Sequence, residues 1–124
     1  MLIDPRLRAA VADYARRLHA RGWVANHDGN ITTRLGENRY LATPTATSKA
    51  DVSAESLIVV DEGGRAVGGS GKPFSEIGLH LTVFRSRPDV NAVVHAHPPT
   101  ATGIAVAGAR LLDQPLLPEA VVSI

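Results

Sequence analysis

The chain has 124 residues, of which 44% are hydrophobic and 20% are charged, a composition typical of one folded domain (residues 1–124) and not of a disordered segment. Thirteen basic and twelve acidic residues give a net charge of +1 without a long run of either sign, which argues against a nucleic-acid or membrane-surface partner. The lack of cysteine excludes disulfides and thiolate chemistry, and the absence of a signal-peptide pattern adds to the prediction of a cytoplasmic location.

The first predicted element is a helix that begins at Asp4 and Pro5, because Asp is a favoured N-cap and Pro is favoured at the first helical position. Apolar residues such as Leu7, Val11 and Leu18 follow at helical spacing, and a glycine at position 22 is a natural stop. We therefore expect an amphipathic helix that packs on a sheet through these residues.

Short apolar and β-branched runs separated by turn residues predict two hairpins. The first has strands at 31–34 and 39–43 around a turn at 36–38, and the second has strands at 57–61 and 65–67. The loop between the hairpins should hold at most one helical turn, near residues 53–56.

A second helix is predicted after the KPFSE segment, with Ser75 as its N-cap. Its apolar positions are Ile77, Leu81 and Phe84, and Pro88 ends it soon afterwards. Residues 92–97 then read as a buried strand, and residues 100–107 as a short helix stopped by a glycine. Helices interleaved with antiparallel hairpins predict a mixed α/β layer fold.

The last residues, LLDQPLLPEAVVSI, finish on an apolar β-branched run. Such an end predicts that the fold is incomplete at residue 124 and that its apolar surface promotes self-association.

The segment AVVHAHP places two histidines one residue apart at the end of an apolar run. Side chains alternate along a strand, so His95 and His97 should share a face and Ala96 should lie opposite. Two imidazoles on one face can chelate a metal ion, although a catalytic zinc normally has three protein ligands and an open position.

Two further segments combine reactive or hydrogen-bonding residues: HDGN at 27–30 and KPFSE at 72–76. Each residue has an ordinary explanation. Glu76 at a helix start interacts favourably with the helix dipole, Asn30 after a glycine is a common turn residue, and a single histidine is usually a satisfied polar group. The segments gain meaning only together and in this order.

The ordered series resembles the class II aldolase/adducin family, the group that contains L-fuculose-phosphate aldolase and L-ribulose-5-phosphate 4-epimerase. The resemblance rests on GN before a strand, TPT after the first hairpin, LIVVD, the PxSE element and RPDVNAVVHAHP. It implies a three-layer α/β/α sandwich with a mainly antiparallel central sheet. It also implies a homo-oligomer, commonly a tetramer with sites at subunit interfaces.

The same resemblance implies the roles of the site residues. The two histidines of the HxH motif would bind a divalent metal, usually zinc, and the glutamate would act as the acid/base. A pocket for a sugar phosphate would be formed by three parts of the chain. They are the loop that ends in Gly29 and Asn30 (the GN loop, residues 27–30), the loop that begins with the TPT sequence at 43–45 (the TPT loop), and the serine before the glutamate. The implied set is His95 and His97 for the metal, Glu76 for catalysis, and Gly29, Asn30, Thr45 and Ser75 for the substrate.

The implied reaction is cleavage of a carbon–carbon bond next to a carbonyl, which leaves an enediolate that a Lewis-acidic zinc stabilises. A carboxylate beside the metal can move the proton. Phe74 and Ala46 stand where the family often has serine and glycine, which places a phosphorylated substrate in doubt. A third metal-binding histidine and the aldolase proton donor lie in the family's C-terminal half, so we expect little activity from these residues alone. His27, beside the expected pocket, is the alternative third ligand.

Three functions stay open at this point. The first is a metal-dependent aldolase, and the second is an epimerase or dehydratase that shares the same metal-binding half. The third is a non-catalytic, adducin-like binding or scaffold domain. The HxH motif and Glu76 favour an enzyme, because a scaffold does not need all three side chains.

Overall fold

In the computed structural model, which describes residues 2–108, two helices cover the opposite faces of a five-stranded sheet and a third follows the last strand. The helices are α1 (Pro5–Ala20), α2 (Ile77–Ser86) and α3 (Pro99–Val106). The strands are β1 (Asn30–Gly36), β2 (Arg39–Ala42), β3 (Ile58–Asp61), β4 (Ala66–Gly68) and β5 (Ala92–His95). The predicted layered architecture with a mainly antiparallel sheet is confirmed.

The sheet is an antiparallel meander with one later addition. Its strand order is β4-β3-β2-β1-β5, and every neighbouring pair is antiparallel. The first four strands follow one another along the chain, whereas β5 returns after α2 to pair with β1, so that Asn30 lies opposite His95. This return brings the HAH motif beside the GN loop.

Helix α1 begins as predicted, because the Asp4 carboxylate accepts a hydrogen bond from the Arg6 backbone N–H at 2.9 Å and Pro5 occupies the first turn. The α1 face of the sheet carries a large apolar cluster. Leu7 is partly buried there, and the fully packed members are Val11, Ala12, Ala15, Leu18, Val24, Ile31, Leu41, Val52 and Leu57.

The α2 face carries the alternate side chains of the same strands, as the period of two requires. Tyr40 stacks on Phe84 with ring centroids 4.8 Å apart. Arg34 of β1 lies over the Phe84 ring and donates hydrogen bonds to the backbone oxygens of Phe84 and Val90 at 3.1 and 3.0 Å. These contacts fix the C-terminal end of α2 against the sheet.

Several boundaries differ from the sequence predictions. In the first hairpin the turn consists of Glu37 and Asn38, both with positive φ, and Gly36 still belongs to β1. Ser75 was wrong as the N-cap: the cap of α2 is Glu76, and no side chain closes it. The helical turn predicted near residues 53–56 is a 3-10 turn, Ala54–Ser56, with a capping box at Ser53. A second 3-10 turn, Lys49–Asp51, was not predicted.

The predicted buried strand at 92–97 is shorter and more exposed than expected. Strand β5 ends at His95 and lies at one edge of the sheet formed by the described residues, where the Val94 side chain is 55% exposed. His97 lies beyond the strand, and its backbone N–H donates to the Trp23 oxygen at 2.8 Å. The expected apolar surface at residues 118–124 lies outside the described residues.

None of the helices in residues 2–108 combines the length and apolarity that crossing a membrane requires.

Candidate active site

The GN loop, the TPT loop and the turn before α2 meet around a cavity of about 200 Å³. Of the predicted site residues, Gly29, Asn30, Thr45, Ser75, Glu76 and His97 line this cavity. His95 adjoins it, because its ring lies 4.8 Å from the His97 ring, centroid to centroid. The structure therefore brings all seven predicted residues together. His27 lines the same cavity.

Gly29 is required by the close approach of its loop to β5. Its φ is +79°, and a Cβ atom built there would lie 2.4 Å from a methyl group of Val24 and 3.0 Å from the His95 backbone oxygen. A side chain would push the loop away from the strand that carries the histidine pair. The glycine thus sets the distance between the GN loop and the HAH motif.

The two imidazoles of His95 and His97 suit a divalent metal as part of a ligand set, since neutral imidazole is a common zinc ligand. Within residues 2–108, no group of three His, Cys, Asp or Glu side chains is arranged to hold a metal ion. His27 therefore does not complete a three-residue set with the pair. The donors present fit two positions of a metal site.

Glu76 lies at the N-terminus of α2, where the helix dipole favours a carboxylate. The Ser75 hydroxyl donates a hydrogen bond to its Oε2 atom at 2.8 Å. This hydrogen bond, followed by one from the Glu76 backbone N–H, lowers the pKa of the Glu76 carboxyl, and the nearby His95 and His80 act in the same direction. Glu76 is therefore ionised at neutral pH, which is the form that can accept a proton.

Lys49 was missed by the sequence interpretation, because lysine is normally exposed and the motif does not include it. Its side chain lines the cavity and is only 1% exposed. The ammonium donates to the backbone oxygens of Thr47 and His27 at 2.8 and 3.4 Å. Burial lowers the pKa of Lys49, while the carboxylates of Asp28 and Glu76 oppose that shift. No salt bridge within residues 2–108 involves this cation.

His80 was also missed, since the sequence placed it only somewhere on α2. It is fully buried, and its two ring nitrogens contact Thr32 Oγ1 at 2.7 Å and Asn30 Oδ1 at 2.6 Å. Burial lowers the pKa of His80 to about 4. The four-residue interval from Glu76 to His80 is the only sequence signal, because it places both residues on one side of the helix.

The two departures from the family pattern have different structural meanings. Phe74 is 6% exposed and packs edge-on against the His80 ring at 5.0 Å, so it forms an apolar wall of the cavity. Ala46 has a φ of 56°, a conformation that favours glycine. The TPT loop thus keeps a glycine-type bend although it carries alanine.

Residues 9–123 match the family model described as the Class II Aldolase and Adducin N-terminal domain. The chain therefore belongs to the class II aldolase and adducin family, as the motifs predicted.

Two relatives and one solved structure illustrate the range of reactions. The chain is 35% identical to a methylthioribulose-1-phosphate dehydratase of Methylococcus capsulatus over 107 residues, which are 85% of this chain and 52% of that protein. It is 34% identical to a 3-oxo-tetronate 4-phosphate decarboxylase of Haemophilus influenzae over 96 residues, 77% of this chain and 45% of the relative. The crystal structure of l-fuculose-1-phosphate aldolase from Thermus thermophilus superposes with a TM-score of 0.75 at 30% identity, covering 94% of this chain and 56% of that one. The chain spans about half the length of these proteins.

Proposed function

We propose that this chain carries the HxH metal-binding and phosphate-binding part of a divalent-metal-dependent lyase of the class II aldolase type. The observation that supports the proposal is one cavity shared by an ionised carboxylate, an imidazole of the HxH pair, and hydroxyl and cationic donors. Its substrate would be a small sugar phosphate, cleaved at the bond next to a carbonyl through an enediolate.

His95 and His97 would supply two ligands to zinc or another divalent cation. A bound cation would act as a Lewis acid toward the substrate's carbonyl and hydroxyl oxygens. The histidines hold their rings 4.8 Å apart, centroid to centroid. They are uncharged ligands when deprotonated, so they would leave the cation its full charge for the substrate.

Glu76 would be the acid/base. Its lowered pKa and its position at the α2 N-terminus keep it a carboxylate at neutral pH, so it first accepts a proton from the substrate and returns it later. The Ser75 hydroxyl, which donates to Oε2, leaves the other carboxylate oxygen, Oε1, for the substrate.

The substrate's phosphate would be bound by the GN loop, Thr45, Ser75 and Lys49. Phe74 removes the hydroxyl that the family often has at its position, which weakens the case for a phosphate. The buried Lys49 ammonium strengthens it again, because among the described residues this cation hydrogen-bonds only to carbonyl oxygens and is free to pair with an anion in the cavity.

Dehydration is the second candidate reaction, since a dehydratase matches 85% of the chain at 35% identity. An epimerase or a non-catalytic adducin-like scaffold are the remaining alternatives. All the enzymatic alternatives use proton transfer, so Glu76 serves in each; a scaffold would not need it.

The experiment compares wild-type and Glu76→Gln proteins at natural length, loaded with zinc, on three substrates. L-fuculose 1-phosphate reports aldol cleavage by aldehyde release, methylthioribulose 1-phosphate reports loss of water, and 3-oxo-tetronate 4-phosphate reports release of carbon dioxide. We expect aldehyde release by the wild type and a loss of about 10²- to 10⁴-fold in kcat for Glu76→Gln, with unchanged zinc affinity and thermal stability.

Glu55→Gln is the matched control, because Glu55 is an exposed glutamate on the second 3-10 turn. It should leave turnover unchanged. Turnover on one of the other two substrates alone would replace the aldolase assignment with that reaction. Equal turnover by wild type and Glu76→Gln would remove Glu76 from the mechanism, and no turnover with bound zinc would favour the scaffold.

Lys49→Met tests the phosphate assignment. Methionine keeps the length and burial of the side chain but removes its charge, so we expect KM for the phosphorylated substrate to rise about 10- to 100-fold, the loss of a charge-assisted contact. Lys72→Met is the control, since Lys72 is exposed and contributes to the site only its backbone oxygen, which accepts from Thr45 at 2.9 Å. An unchanged KM in Lys49→Met would show that the lysine has only a structural role, through its hydrogen bonds to the backbone oxygens of His27 and Thr47.

Homotetramer formation and a cytoplasmic location stay predictions. Light scattering on the natural-length protein and fractionation of the source cells would check them.

A further inference from the structure

Four polar side chains form a continuous chain of hydrogen bonds beneath the cavity, from β1 through α2 to β5. Thr32 Oγ1 lies 2.7 Å from His80 Nδ1, and His80 Nε2 lies 2.6 Å from Asn30 Oδ1. The same Asn30 oxygen lies 3.3 Å from His95 Nδ1. Thr32, Asn30 and His80 are each 4% exposed or less. One amide oxygen thus joins a buried histidine to a member of the HxH pair.

The orientation of the Asn30 amide, whose oxygen faces both rings, determines where the protons lie. His80 is uncharged at neutral pH, because burial lowers its pKa to about 4, so only one of its ring nitrogens carries a hydrogen. The Asn30 oxygen can only accept, so His80 Nε2 donates to it. His80 Nδ1 is then the acceptor for the Thr32 hydroxyl.

His95 is constrained in the same way. Its Nδ1 faces the Asn30 oxygen, so Nδ1 carries the hydrogen and Nε2 keeps its lone pair. The reverse orientation of the Asn30 amide would turn its NH₂ group toward both rings and would put the His95 hydrogen on Nε2. The two arrangements exclude one another, and only the first leaves His95 Nε2 able to bind a cation.

We propose that His80 is a positioning residue: its Nε2–H holds the oxygen of the Asn30 amide, and that orientation keeps His95 in the tautomer whose Nε2 is unprotonated. The next step, in which this Nε2 atom binds a metal ion, rests on the proposed function. A metal-ligating histidine commonly donates its other N–H to an oxygen that sets its tautomer and ring orientation, and here a buried histidine holds that oxygen.

The oxygen and the nitrogen of the Asn30 amide consequently have different environments. Its oxygen is taken by the histidines, whereas its amide nitrogen makes no hydrogen bond within residues 2–108 although the residue lines the cavity. No buried side-chain nitrogen or oxygen in these residues lacks a partner, so this nitrogen reaches the accessible cavity. The orientation that serves His95 also offers the NH₂ group to the substrate.

The test is nitrogen-15 NMR of histidine-labelled, metal-free protein at natural length, which distinguishes Nδ1–H from Nε2–H tautomers. It is followed by a zinc titration in a calorimeter. In the wild type we expect His95 as the Nδ1–H tautomer and His80 as the Nε2–H tautomer. In His80→Leu we expect a mixture of His95 tautomers and a zinc affinity lowered about 10- to 100-fold.

Two further variants separate positioning from packing. His80→Gln retains an N–H that can reach the Asn30 oxygen and should restore the wild-type tautomer and zinc affinity. Phe84→Leu perturbs the same core cluster without touching the polar chain, so it should lower thermal stability and leave the tautomer and the zinc affinity unchanged.

An Nε2–H tautomer of His95 in the wild type would overturn the inference. So would a wild-type His95 tautomer in His80→Leu, or a zinc affinity that falls as much in Phe84→Leu as in His80→Leu. If the wild type showed the expected tautomers but bound no zinc, the proposed function would fail while the positioning role of His80 stood. The two failures are therefore distinguishable.

Discussion

The two faces of the sheet are built from alternate residues of the same strands, yet they differ in composition and in role. The α1 face excludes water mainly with aliphatic side chains, and its buried Thr43 accepts a hydrogen bond from the Ile31 backbone N–H. The α2 face combines aromatic and aliphatic packing with Thr32, Asn30 and His80, which are buried polar side chains joined to one another by hydrogen bonds. One face supplies stability, and the other also supplies an ordered polar connection that reaches the cavity. A site can thus be supported from within a core only if each polar member finds its partner.

The largest effect on stability should come from removing a large side chain from the core of the α1 face. Leu41 is fully buried there, so Leu41→Ala should lower the free energy of unfolding by about 3 to 4 kcal/mol through lost burial and a residual cavity. Urea denaturation would measure it. The polar chain lies on the other face, so the His95 tautomer should not change in the fraction that remains folded.

Leu79→Ala is the matched control, since Leu79 is 56% exposed. It should alter the free energy of unfolding by no more than about 0.5 kcal/mol. A small loss in Leu41→Ala would mean that the α1 face is not the main source of stability.

The second effect is a pH dependence of the free energy of unfolding that arises on the α2 face. The pKa of His80 is lowered from 6.5 to about 4 by burial, with His95 acting in the same direction and Glu76 opposing. Between these two values the unfolded chain binds a proton that the folded chain does not. The stability contributed by uncharged His80 is thus present above pH 6.5 and is lost as the pH falls toward 4, by about 3 kcal/mol in total.

Urea denaturation of the metal-free protein at about pH 7 and about pH 4.5, on either side of most of this interval, would measure the loss. His80→Gln should lose much less stability over the interval, whereas His19→Gln, which removes an exposed histidine of α1, should retain the wild-type dependence. The same dependence in His80→Gln would show that other groups account for it.

The smallest effect lies in the TPT loop, away from both faces. Ala46 has a φ of 56°, a conformation that costs a residue with a Cβ about 1 kcal/mol or slightly more. Ala46→Gly should therefore raise the free energy of unfolding by about 1 kcal/mol, measured in urea. Ala50→Gly, in the first 3-10 turn, should be neutral or destabilising; equal gains in both variants would rule out relief of backbone strain.

The sequence predicted the features that depend on local chemistry. Asp4 and Pro5 mark the start of α1, and the apolar spacing of α1 correctly identified Val11 and Leu18 as core. The residues of the HxH, GN and PxSE motifs lie in or beside one cavity, the grouping that the family resemblance implied. These signals are contained within a few neighbouring residues, so a single segment carries each of them.

His80 and Lys49 were missed because their roles depend on partners far away in the chain. A histidine on an amphipathic helix has no sequence feature that identifies Thr32 and Asn30 as its neighbours. The Lys49 ammonium bonds the backbone oxygen of His27, 22 residues earlier in the chain. Ser75 was misassigned for a related reason: its hydroxyl bonds the adjacent carboxylate, which competes with capping the helix.

The strand order also has a consequence for how the protein folds. Strands β1 to β4 form by pairing of chain neighbours, whereas β5 joins β1 only after a long intervening segment has been closed. Such closure is entropically costly and comes late when local contacts are available first. We expect pulse-labelled hydrogen exchange during refolding to protect the amides of β2 and β3 before those of β5; simultaneous protection would contradict this order. His95 and His97 would then be brought to Asn30 in the last step, so the proposed metal site would form only in chains that have finished folding.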